Sequence, residues 1–109
     1  MIRKSFYDNL HKNKITVLVY SEQEKKEIMK KENLASIGGN WQPDTNTINL
    51  YETDSGIIAH ECWHVVESQM FIRRGYSINL EAHNEHIAYY LQFLVDNVTK
   101  IVESVKKRL

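Results

Sequence analysis

Cysteine is almost missing from this chain. Cys62 stands alone among 109 residues, which excludes an intrachain disulfide and a zinc site built on several thiolates, and fits a reducing compartment. Charge of either sign is not in excess: 14 Lys and Arg balance 14 Asp and Glu. That balance supplies no general attraction to nucleic acid or to an anionic membrane. No apolar run approaches the roughly 20 residues of a membrane span, and no signal-peptide core follows the first residues. The expected location is therefore cytoplasmic. There is no internal repeat, low-complexity tract or linker, and the length suits one domain over residues 1–109.

With 42% hydrophobic and 26% charged residues, the composition is that of an ordinary globular domain. Residues 14–20 (KITVLVY) are β-branched and aromatic and read as a buried strand. Ser21 and Glu24 form a capping box for a Lys- and Glu-rich surface helix over roughly 22–33. Residues 35–41 (ASIGGNW) read as a second strand, with Gly38 and Gly39 marking a bulge or a close backbone approach. The turn signal Pro43-Asp44-Thr45-Asn46 joins it to a third strand, TINLYE at 47–52, as a hairpin. The expectation is an α+β fold, a three-stranded sheet with a surface helix and two further helices.

The first of these two helices, roughly 56–73, is capped by Asp54 or Ser55 and stopped by Gly75. Ile58, Cys62, Val65, Val66 and Ile72 project onto one broad face, which places Cys62 in the core as a small hydrophobe, with Trp63 beside it. The last helix, roughly 80–107, carries a stripe of Ile87, Leu91, Leu94, Val98, Ile101 and Val105. At 1.5 Å per residue it would run about 40 Å, so its distal half must overhang, bend or pack on a partner chain, as in a homo-oligomer formed through this helix.

The motif that carries chemistry is His60-Glu61-Cys62-Trp63-His64. Residues four apart share a helix face, so His60 and His64 can converge on one metal ion. Glu61 then lies where a carboxylate can act as general base on a water molecule. Glu67 shares the histidine face. A catalytic zinc usually takes a third protein ligand, and the candidates lie in Glu81-Ala82-His83-Asn84-Glu85-His86.

In His60-Glu61-x-x-His64, and in Asn84-Glu85 some 20 residues later, the chain resembles the gluzincin branch of the zinc metallopeptidases over residues 47–93. It is most similar to the minimal members, small phage-encoded H-E-x-x-H proteins among them. The resemblance implies a zincin-like domain that binds Zn2+, with His60, His64 and Glu85 as ligands and Glu61 as the base. It further implies hydrolysis of peptide bonds in a peptide or protein substrate, in the host cytoplasm if the chain is phage-encoded. An edge-like strand over 47–51 would present that substrate. The family often has an acid four residues after the ligating glutamate. Tyr89 stands there instead, available to orient a ligand or to donate to an oxyanion, and Glu67 or Asp96 could replace the missing acid.

Two matters stay open. If the Ile87–Val105 stripe packs on the motif helix, His83 is the better-placed third ligand. If the Glu85-Ala88-Tyr89 face does, Glu85 is. A non-catalytic module that keeps zinc as a clasp, such as an inhibitor or an assembly subunit, is the alternative to an enzyme.

Overall fold

The outer strands alternate half-buried and exposed residues while the inner ones are largely buried, and 3.6-residue periodicity builds the helices, in a computed structural model that describes residues 1–77 and 84–107. In chain order these are β1 (Ile2–Asp8), β2 (Asn13–Val19), α1 (Glu22–Glu32), β3 (Gly39–Gln42), β4 (Thr47–Leu50), α2 (Ser55–Val66) and α3 (Glu85–Lys106). A π-helical turn, Glu67–Ile72, continues α2 without a break. No described helix is long and apolar enough to cross a membrane.

The sheet has four strands in the order β1-β2-β4-β3, one more than the sequence led us to expect. β1 was missed because only Ile2 and Phe6 are apolar among its inward positions and Lys4 interrupts the alternation. β1 and β3 each pair antiparallel with their neighbour, whereas β2 and β4 run parallel, Val17 opposite Ile48 and Val19 near Leu50. β4 is therefore interior. The edge strand beside the motif helix is β3, which corrects the expectation for residues 47–51.

α1 forms as its capping box predicts, Ser21 Oγ accepting from Glu24 N, and it buries no residue. The turn at Pro43–Asn46 and the hairpin it closes also form, with Asn46 at a φ of 49°. α2 and α3 pack together on one sheet face. Ile15, Val17, Val19, Ile48 and Leu50 meet Ile58, Cys62, Val65 and Val66 from α2 and Ile87, Tyr90, Leu94, Val98, Val102 and Val105 from α3. Ile87, Leu94, Val98 and Val105 of the α3 stripe are thus buried against their own chain, with Tyr90 and Val102 beside them, while Leu91 and Ile101 are half-buried. The helix has 22 residues, about 33 Å.

Tyr90, fully buried, ties α3 to the β1–β2 turn. Its hydroxyl donates to Asp8 Oδ2 at 2.6 Å, while Asp8 Oδ1 accepts from the backbone N–H groups of Leu10 and His11. His11 Nδ1 lies 3.0 Å from the same Oδ2. Burial, with the Asp8 carboxylate adding to it, pushes the Tyr90 hydroxyl far above the ordinary tyrosine range. The folded state therefore keeps a proton that the unfolded chain releases above about pH 10, so this contribution is present below that pH and is lost as pH rises. Tyr90→Phe should cost about 1–2 kcal/mol in urea denaturation at neutral pH and weaken the alkaline loss of stability. An unchanged midpoint would show that the bond contributes nothing.

Candidate functional site

Asp54 begins α2 by accepting from Ile57 N at 3.0 Å, and that start fixes the phase of the motif. Ile58, Cys62 and Val65 turn into the core. Burial, followed by the neighbouring Glu61 carboxylate, pushes the Cys62 thiol up to about 12, in keeping with an unreactive core position. Trp63 is half-buried rather than fully enclosed, its ring edge-on to Phe71.

His60 and His64 stand one turn apart with their Nε2 atoms 3.1 Å from each other. Two imidazole nitrogens held by one zinc at about 2.0–2.1 Å each lie roughly 3.3 Å apart in tetrahedral coordination. The 3.1 Å separation is that of a hydrogen bond between the rings and is close to the spacing a shared cation would need. His64 Nδ1 lies 2.9 Å from Glu67 Oε1, a carboxylate that can only accept, so the proton between them belongs to His64. In the neutral ring, Nε2 of His64 then carries the lone pair.

Glu61 lies under the sheet edge and is only 3% exposed. Its Oε1 has no hydrogen-bond partner among the described residues. Burial raises the carboxyl above the usual carboxylate range, and the nearby His60 and His64 pull it partly back. Room for this side chain comes from Gly39, where a Cβ would lie 2.6 Å from Asn49 O and 3.1 Å from Glu61 Cγ. The close approach read from Gly38 and Gly39 is thus that of β3 to α2.

These groups line one cleft of about 380 Å³, walled by Gly39, Asn40 and Trp41 of β3 and by His60, Glu61 and His64 of α2. Glu67, Ser68 and Ile72 of the π turn close its far end. Trp41 Nε1 is buried without a partner among the described residues, a donor that sequence reading did not single out. Ile72, expected in the core, is 79% exposed. Past Glu67 the helix bonds i to i+5, as in Arg73 N to Ser68 O at 3.0 Å, so the 100° spacing that put Ile72 inward no longer holds.

Glu85 and Tyr89 are not brought to this cleft. Glu85, Ala88 and Tyr89 form an exposed face, Tyr89 at 64%, because α3 packs on α2 through the Ile87–Val105 stripe. Asp96 is exposed on α3 as well, and His86 lies against Tyr76, 5.4 Å between ring centres. His83 lies outside the described residues. Among the described residues no three His, Cys, Asp or Glu side chains are arranged to hold a metal ion.

Gly39→Ala should destabilise the protein by about 1–3 kcal/mol in denaturant titration, since the Asn49 carbonyl is backbone and cannot retreat cheaply. A variant as stable as the parent would show that β3 can shift against β4. Compared with protein-family models, curated proteins and solved structures, the chain matches none.

Proposed function

We propose that this protein is a zinc-dependent peptidase of the H-E-x-x-H class, with His60 and His64 as metal ligands and Glu61 as the proton carrier. The observation that carries the reading is the convergence of two imidazole Nε2 atoms, 3.1 Å apart, beside a buried carboxylate with an unpartnered oxygen. A divalent cation bound there would supply Lewis acidity toward a scissile carbonyl and toward water.

Glu61 performs the proton transfers. Its raised affinity for a proton suits a carboxylate that takes one from the attacking water and delivers it to the leaving amine nitrogen. Gly39 keeps the β3 side of the cleft free of a side chain above that carboxylate. The edge of β3 offers backbone groups to an extended peptide, which would then lie across Glu61. Packing of the Ile87–Val105 stripe on α2 favours His83 over Glu85 as the third ligand. Tyr89, exposed and off the cleft, takes no role in this reading.

Zinc-loaded protein should cleave members of a peptide mixture. Glu61→Gln should lower that cleavage by about 10²–10⁴-fold while keeping its zinc. Wild-type protein that holds zinc and cuts no peptide would leave the non-catalytic module as the better account. Metal content separates the third ligands: His83→Ala should lose zinc and Glu85→Ala should retain it, and the reverse pattern restores Glu85.

A further inference from the structure

We propose that Glu67 is the positioning residue of this site. Its carboxylate holds His64 in the tautomer protonated on Nδ1, and so fixes an Nε2 lone pair on the point shared with His60. The inference rests on the reading of that pair as a metal site, and it names a partner that neither Tyr89 nor Asp96 supplies.

Three observations carry it. Glu67 Oε1 is 2.9 Å from His64 Nδ1, while His64 Nε2 faces His60 Nε2 at 3.1 Å, so the two ends of one imidazole have distinct and compatible partners. With Nδ1 protonated toward Glu67, His64 Nε2 accepts from His60 Nε2–H when no cation lies between them. The Glu67 backbone is itself fixed, its N–H bonded to the carbonyls of His64 and Trp63 where the α-helix gives way to the π turn. Finally, Glu67 meets the side of the ring away from the shared point, so it orients a ligand rather than acting as one. Carboxylates on the far nitrogen of metal-binding histidines fix the ring and raise its basicity, and their removal typically weakens metal binding by about 10–100-fold.

A role in fold stability does not account for the pair. The side chains of His64 and Glu67 are 45% and 42% exposed, and exposed pairs of this kind contribute little to stability. Glu67→Ala should therefore leave the urea midpoint of the metal-free protein unchanged. Two readouts test the assignment directly. In metal-free wild type at about pH 8, above the ordinary imidazole range, ¹⁵N NMR should show His64 as the Nδ1–H tautomer, with a mixture in Glu67→Ala. Zinc affinity, measured by competition with a chromophoric chelator, should fall about 10–100-fold in Glu67→Ala and recover in part in Glu67→Gln, whose amide oxygen still accepts from Nδ1–H. An unchanged tautomer, or equal zinc affinity in wild type and Glu67→Ala, overturns the proposal. Wild type that takes up no zinc sinks the metal reading instead, and the tautomer measurement still decides the role of Glu67.

Discussion

The approach of β3 to α2 at Gly39 is the contact on which the rest of the site depends. There a single methyl group would collide with the Asn49 carbonyl of β4 and crowd Glu61 Cγ of the helix. The Glu61 carboxylate is caught between the two elements, cut off from water on one oxygen and left without a partner there among the described residues. Burying such a group is costly, and the apolar layer of α2, α3 and the sheet must offset it. A carboxyl buried in this way holds its proton more tightly than a solvated one.

The same helix serves two requirements through its phase. Ile58, Cys62 and Val65 anchor it in the core, Glu61 flanks that stripe at the sheet edge, and His60 and His64 stand exposed in the cleft. The π turn then alters the rotation per residue, burying Ser68, Gln69 and Met70 and exposing Ile72 at the cleft's end. Polar ties hold this turn to the hairpin ends below it. Arg73 donates to Asn46 Oδ1 and to the Pro43 carbonyl, Arg74 to the His11 carbonyl, and Gln69 to Asn13 Oδ1. Glu67 thus projects from a segment that these ties hold to the rest of the fold.

Much of the fold was legible where local chemistry decides. The Ser21–Glu24 capping box, the Asp54 cap, the Pro43–Asn46 turn and the positive φ of Gly75 all follow from residues within a few positions of one another. β1 was less legible, since a lysine among its inward positions hides the two-residue alternation. The sheet order was not legible at all. Parallel pairing of β2 with β4 makes β4 interior and leaves β3 as the edge, and strand pairing over such a separation leaves no periodic mark in the sequence.

The sequence by itself determined the helical phase of His60, Glu61 and His64, because an i, i+4 spacing on a capped amphipathic helix admits one arrangement. It also determined that Cys62 is a core residue and not a ligand. Only the tertiary structure decided which face of α3 meets α2, and with it the exposure of Glu85 and Tyr89. Both faces of that helix could be argued from spacing, and the larger apolar stripe won because it buries more surface. The pairing of Glu67 with His64 and the room that Gly39 leaves for Glu61 were decided there too. They depend on where the π turn begins and on how closely a strand approaches a helix, distances that a linear chain does not encode one residue at a time.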